Sequence, residues 1–265
     1  MTVADKPSGR QNQLLVLGKI SSILEAFSLR TPERTLADIR ESTGLPTSTV
    51  QRLVANLVDQ GFLDKNDDHY RIGMRMAFWA APATAGRSEH DAVIPVLKEL
   101  RDLTGESAVL FRREGRFRVC VGLAETRHAL RRELHVGKIM PLHVGSASRV
   151  LLAWDPDAVD ELLDDTLAPI TDATITDPEH LRKVVAQTRA DGFAITIGER
   201  ESGASGLSAP VFDARARITS AVSINGPVFR MPRETCEEWV EPLVDAAERI
   251  TRLLGGRFPG ETSET

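Results

Sequence analysis

Residues 36–63, LADIRESTGLPTSTVQRLVANLVDQGFL, read as two short helices around a tight turn, followed by a strand. Leu36 and Ile39 form an apolar face on the first helix, Gly44 supplies the turn, and Leu45 and Pro46 precede Thr47, a good N-cap for the second. Val50, Leu53, Val54 and Leu57 recur at i, i+3, i+4, i+7, so that edge packs inward. Thr47, Ser48, Thr49, Gln51 and Arg52 then face outward at the amino-terminal end, the end that meets base edges in DNA-reading helix-turn-helix modules. Gly61-Phe62-Leu63 opens a strand, Asn66-Asp67-Asp68-His69 is turn chemistry, and Tyr70-Arg71-Ile72 returns as a winged hairpin. A helix pair around a glycine also occurs in all-helical cores and in protein-binding winged domains. The hairpin and the outward polar series together point to DNA.

The surrounding sequence supports a two-domain reading. A chain of 265 residues exceeds the usual single-domain length. No apolar run is long enough to span a bilayer and the N-terminus lacks an apolar signal segment, which gives a cytoplasmic expectation. Cys120 and Cys236 lack the paired spacing of a zinc or redox site and read as buried free thiols; neither a cofactor nor a metal is expected. Residues 1–75 hold ten Lys or Arg and nine Asp or Glu, while the rest of the chain holds 23 and 29. A cationic partner surface therefore belongs to the N-terminal part, where Arg30, Arg34, Arg40, Arg52, Lys65, Arg71 and Arg75 are available. Arg52, then Lys65 and Arg71 in the wing, are the candidates for contact with DNA phosphates or bases.

The expected organisation is α+β. Residues 1–12 form a disordered leader, 13–73 a winged helix-turn-helix, 74–90 a linker helix interrupted or kinked at Pro82, 91–254 a second domain and 255–265 a disordered tail. In the second domain an amphipathic helix over Val93, Leu97, Leu100 and Leu103 precedes a hairpin of Ala108–Phe111 and Phe117–Leu123. Helices follow near 147–153, 158–163 and 179–190, then strands at 193–197, 207–212 and 218–224, and one long helix from Pro232 to Leu254. This mixture predicts an antiparallel-rich sheet flanked by helices. The apolar linker helix packs either on a copy of itself or on its own second domain.

Four stretches in order, TGLPTSTVQRLVANLVDQGFL, VGKIMPLHVGSASRVLLA, DGFAITIGERESGASGLSAPVFD and AVSINGPVFRM, resemble a regulator of the IclR type from about Leu14 to Leu254. The resemblance implies a winged helix-turn-helix, a helical linker and a GAF-like effector-binding domain, assembled as a dimer or tetramer. It also implies transcriptional control of metabolic or catabolic genes, as a repressor or an activator, by a small organic acid, often aromatic. The family's pocket positions correspond to Met140, Ser146, Ala147, Thr196, Gly206, Ser223 and Asn225. Strand alternation places Ala221, Ser223 and Asn225 on one face and Val222 and Ile224 on the other, which suits either a pocket floor or a solvated sheet face. The sequence departs from the family's usual pattern at Ser148-Arg149, Thr196 and Asn225. Thr196 and Gly206 predict a less polar, roomier pocket, hence an aromatic or longer-chain acid. The amides at Gly145-Ser146-Ala147-Ser148, which open a helix, favour a carboxylate, and Arg131 and Arg132 are further candidates for pairing with it.

The rival from another class is a hydrolase-like enzyme with a fused winged helix, using Ser205 or Ser146 as nucleophile and His143 as base. Neither serine lies in G-x-S-x-G, and no H-E-x-x-H is present. The chain is therefore read as no enzyme. A winged helix that binds only protein is the third reading, opposed by the outward Thr47–Arg52 series.

Overall fold

The computed structural model describes residues 9–28, 31–84, 88–131, 133–164 and 166–259, with the backbone alone described at 9–15, 80–84 and 88–90. Most of the expected leader, the end of the expected tail, Arg30 and Arg132 lie outside these residues. The chain divides into two compact units, residues 1–86 and 87–265.

The first unit holds α1 (Gly9–Glu25), β1 (Glu33–Thr35), α2 (Leu36–Thr43), α3 (Thr47–Asp59), β2 (Leu63–Asn66), β3 (His69–Ile72) and α4 (Met74–Thr84). Ile23, Ile39, Val50, Leu53, Val54, Leu57, Leu63 and Tyr70 bury one shared core, so the apolar stripe of α3 packs inward. Thr35 and Asp38 form a reciprocal capping box at the start of α2, and Gly44, at φ 65°, ends it with its N–H on the Arg40 carbonyl. The wing is the antiparallel β2–β3 pair, joined on its other edge by the short β1, which the sequence reading did not include. Two further differences concern helix bounds. α1 starts at Gly9, ahead of the expected start at 13, and α4 runs through Pro82 without interruption. The carbonyl that Pro82 leaves without a donor belongs to Phe78, an exposed residue.

The second unit begins with α5 (Ser88–Thr104), ahead of the expected 91, and continues with β4 (Ser107–Glu114), β5 (Phe117–Ala124), β6 (Ile139–Pro141), α6 (Ser146–Ala153), α7 (Pro156–Leu163) and α8 (Pro178–Asp191). β7 (Ala194–Ile197), β8 (Ala204–Phe212), β9 (Ile218–Pro227), α9 (Arg233–Glu238) and α10 (Val240–Leu253) complete it. The six strands form one sheet in the order β6-β5-β4-β9-β8-β7, with every neighbouring pair antiparallel. α5 and α10 cover one face, where Leu207, Ala209, Val211, Val222 and Ile224 point. α6 covers the other, backed by α7 and α8, over Val109, Phe111, Cys120 and Ala221. Burial on both faces excludes the solvated-face reading of β9, since Ala221 and Ser223 are fully buried.

The long C-terminal helix is two helices broken at Trp239. Pro242 explains the break. It has no N–H for the carbonyl of Glu238, the last residue of α9, and its ring collides with that carbonyl in a continuous helix. The strand-like segment expected at Arg131 is irregular; the strand lies later, at β6. Cys120 and Cys236 are buried free thiols, and burial pushes them up to about 12 and about 11. Among the described residues no helix is long and apolar enough to cross a membrane, and no group of His, Cys, Asp and Glu could hold a metal ion.

The exit of the wing touches its entry backbone to backbone. A Cβ at Gly73 would stand 2.4 Å from the Gly61 carbonyl oxygen. Gly73→Ala is expected to destabilise the wing by about 1–3 kcal/mol, as overpacking against an unyielding backbone does. Amide hydrogen exchange across β2 and β3 measures it, with faster exchange in the variant as the expected result.

Candidate functional site

The outer surface of α3 carries the first candidate site. Thr47, Ser48, Gln51 and Arg52 are exposed and Thr49 is half-buried. Pro46, not Thr47, occupies the N-cap: its carbonyl accepts from the N–H groups of Thr49 and Val50 at 2.9 and 3.0 Å. The proline ring already holds a backbone angle that leads into the helix, so Thr47 is its first residue and its hydroxyl is not used as a cap. In the wing, Arg71 pairs with Asp64 at 3.5 Å, and the Lys65 ammonium lies 5.9 Å from the centre of the Tyr70 ring. Arg52 makes no ion pair among the described residues. The amino-terminal surface of α3 thus presents hydroxyls, an amide, a guanidinium and free helix amides, a set suited to phosphates and base edges.

The second candidate site lies where the amino terminus of α6 meets β7, β8 and β9. Gly206 pairs with Thr196 on one side and Asn225 on the other, and Ser208 pairs with Ser223. A Cβ at Gly206 would stand 2.6 Å from Ser146 Oγ and 3.5 Å from both Thr196 Oγ1 and Asn225 Oδ1. Only glycine lets the helix end come this close to the sheet. The Ser146 N–H donates to Thr196 Oγ1 at 3.0 Å, and Ser208 Oγ donates to Ser146 Oγ at 2.7 Å while also bonding Ser223 Oγ. Glu199 Oε2 accepts from the Gly145 N–H at 3.0 Å, and its other oxygen binds Arg149. Of the helix-terminal amides expected to favour an external carboxylate, those of Gly145 and Ser146 are therefore held by a carboxylate and a hydroxyl of the protein itself.

These groups border a small cavity of about 20 Å³, lined also by Phe111, Arg118, Arg200, Glu201, Ala204 and Ser205. The lining is more charged than the small side chains of the strands led one to expect. Arg118 is 5% exposed, and burial pushes its guanidinium down to about 9, with the charge of Arg200 adding to the shift and Glu199 opposing it. It remains a cation at neutral pH. Arg149 and Arg200 are lowered by burial too, opposed by Glu199 and Glu201 respectively. Among the described residues three buried side-chain polar atoms have no hydrogen-bond partner: Arg118 Nε, Ser205 Oγ and Asn225 Nδ2. His143 Nε2 bonds the Ala168 carbonyl at 2.9 Å, and no serine–histidine hydrogen bond occurs among the described residues.

Two family models match the chain in succession: the IclR helix-turn-helix domain over residues 16–67, and the bacterial transcriptional regulator IclR C-terminal domain over 90–252. The chain belongs to the IclR family. It is 30% identical to a glycerol operon regulatory protein of Streptomyces griseus, covering 84% of this chain and 90% of that one. It is 28% identical to the transcriptional repressor IclR of Escherichia coli, covering 96% and 94%. Among solved structures, an IclR homolog from Microbacterium hydrocarbonoxydans complexed with 4-hydroxybenzoate matches with a TM-score of 0.74 at 26% identity, covering 90% and 98%. IclR-family proteins are DNA-binding transcriptional regulators, and the relatives of this chain are regulators by name.

Of the pocket positions implied by the family resemblance, Ser146, Ala147, Thr196, Gly206 and Asn225 converge on this cavity. Ser223 stands two hydrogen bonds behind it, through Ser208 and Ser146, and Met140 lies in the apolar core beneath α6. Arg131 pairs with Glu125 at 2.9 Å and does not line the cavity. The sequence reading missed Phe111, Arg118, Glu199, Arg200 and Ser205 as lining residues. One signal for Arg118 was present: it alternates with Cys120, on a strand whose alternate residues are buried. Glu199 and Arg200 follow a strand as a turn, and no local periodicity marks them.

Glu199→Gln leaves Arg149 half-buried without its carboxylate. The folded second unit is expected to lose about 2–4 kcal/mol, since a broken buried pair leaves an uncompensated charge. A double-mutant cycle with Arg149→Gln, read by denaturant unfolding, checks this; additive losses would show that the two residues are not coupled.

Proposed function

We propose that this IclR-family protein is a ligand-responsive regulator of metabolic or catabolic genes that reads its operator with α3 and the wing and takes a small, aromatic organic acid as effector. The exposed polar surface at the start of α3, opposite a fully apolar inner stripe, is the observation that carries the DNA reading. Thr47, Ser48, Thr49, Gln51 and Arg52 are assigned to the major groove, with Lys65 and Arg71 of the wing against phosphate. Met140, Ser146, Ala147, Thr196, Gly206, Ser223 and Asn225 are assigned to the effector pocket. Support for an aromatic acid comes from the small side chains on the pocket floor, from the ring of Phe111 in its wall, and from the relative that holds 4-hydroxybenzoate.

The protein works as a homodimer or tetramer. On α4, Met74 and Phe78 stand 78% and 74% exposed at i, i+4, an apolar stripe that a second copy covers. Regulation is linkage: the acid binds one arrangement of the dimer more tightly, and that arrangement sets the separation of the two recognition helices. The shift in DNA affinity is bounded by the acid's preference between the two arrangements.

Benzoate-type acids at about tenfold above Kd are expected to raise the melting temperature by roughly 3–6 °C, and glyoxylate and pyruvate to leave it unchanged. Stabilisation by glyoxylate and pyruvate alone contradicts the aromatic assignment. Arg52→Ala is expected to weaken operator binding by about 1–3 kcal/mol while leaving binding to unrelated duplex nearly intact. Equal losses on both duplexes, measured at one salt concentration, place Arg52 on phosphate instead.

A further inference from the structure

The three nitrogens of the Arg118 guanidinium are used unequally. Nη1 donates to the carbonyls of Val144 and Pro141 and to Ser148 Oγ, anchoring the side chain beneath the start of α6. Nε is buried with no partner, and Nη2 has no acceptor among the described residues. The guanidinium carbon lies 5.3 Å from the centre of the Phe111 ring, which restrains its plane. No carboxylate among the described residues is bonded to Arg118. Glu199, the nearby anion, is already held by Arg149 and the Gly145 amide, and Arg200 faces Glu201 at 3.4 Å. The other cations of the pocket are thus paired, and Arg118 carries a buried positive charge with one full edge unused.

On the acid-effector reading above, we infer that Arg118 is the anion anchor of the pocket, with its Nε–Nη2 edge receiving the effector's carboxylate side-on. The Nε–H and Nη2–H bonds leave that edge in parallel and match the two oxygens of a carboxylate, a geometry lysine cannot reproduce. A buried unpaired cation is unfavourable, so an arriving anion gains more here than at a solvated arginine. Gly145 keeps the approach open, because a Cβ there would stand 3.2 Å from Nη2. Asn225 Nδ2, without a partner and in a residue of the same lining, is the polar group left for a second substituent. The Gly145 and Ser146 amides at the end of α6 are taken by Glu199 and Thr196, which leaves Arg118 as the charge that meets the acid.

The test is isothermal titration calorimetry of the full chain, wild type, Arg118→Lys and Arg118→Met, with benzoate and 4-hydroxybenzoate beside benzamide and 4-hydroxybenzamide. Wild type is expected to bind an acid and not its amide, and both variants to bind that acid on the order of tenfold to a hundredfold more weakly. Unchanged affinity in both variants overturns the role of Arg118 and leaves the acid reading standing. Equal binding of amide and acid, or binding of neither by wild type, overturns both. Should Arg118→Met not melt cooperatively, the Arg118 Nε–H resonance of arginine-labelled wild type, assigned through Arg118→Lys, decides. It is expected to shift with benzoate and not with benzamide; a resonance indifferent to both overturns the inference.

Discussion

Glu199 holds the amino terminus of α6 against the sheet, and the geometry of the pocket follows from that contact. One carboxylate oxygen accepts from the Gly145 amide and the other binds Arg149 on the first turn of the helix. Its own backbone is fixed in turn, since the hydroxyls of Thr171 and Thr174 both donate to its carbonyl, at 3.0 and 2.8 Å. Because the helix end is tied in this way, Ser146 comes to rest over Gly206, and the hydroxyls of Ser146, Ser208 and Ser223 join into a buried chain. The helix dipole finds its negative partner inside the protein. A ligand therefore meets a helix end whose Gly145 and Ser146 amides are already taken.

The sheet beneath is asymmetric in chemistry though buried on both sides. Toward α5 and α10 it presents Leu207, Ala209, Val211, Val222 and Ile224, an apolar surface of ordinary core packing. Toward α6 the same strands present Gly206, Ser208, Ser223 and Asn225. Strand alternation makes this division possible, with successive residues of β8 and β9 serving stability and site in turn. Buried polar atoms of this kind specify a structure only when satisfied, and the three that are not, on Arg118, Ser205 and Asn225, lie in residues lining one cavity. Their clustering marks the cavity as a place for a partner that brings both acceptors and donors.

Local physics made the first unit almost fully readable from sequence. The helical period of Val50, Leu53, Val54 and Leu57, the left-handed cap at Gly44 and the turn at Asp67-Asp68 are each decided by residues close in the chain, and each appears in the structure. The strands of the second unit were legible for the same reason, usually to within a few residues. Failures occurred where a distant or subtle constraint prevailed. Pro242 broke a helix that amphipathic spacing alone would continue, and β6, three residues long, exists only because β5 pairs with it. Pocket residues on strands could be carried over from family motifs. Arg118, Glu199 and Arg200 come from three positions far apart in sequence or in turns, and only the packing of α6 brings them to one cavity.

In the proposed function this IclR-family chain binds a specific DNA site, and an acid in the pocket alters that binding. Fluorescence anisotropy at one fixed, moderate salt concentration tests it most directly, with duplex from upstream of the protein's own gene beside a scrambled duplex, each with and without 4-hydroxybenzoate. Tighter binding to the native duplex is expected, with a change in that affinity alone when the acid is added. Equal binding to both duplexes, unmoved by the acid, would contradict it.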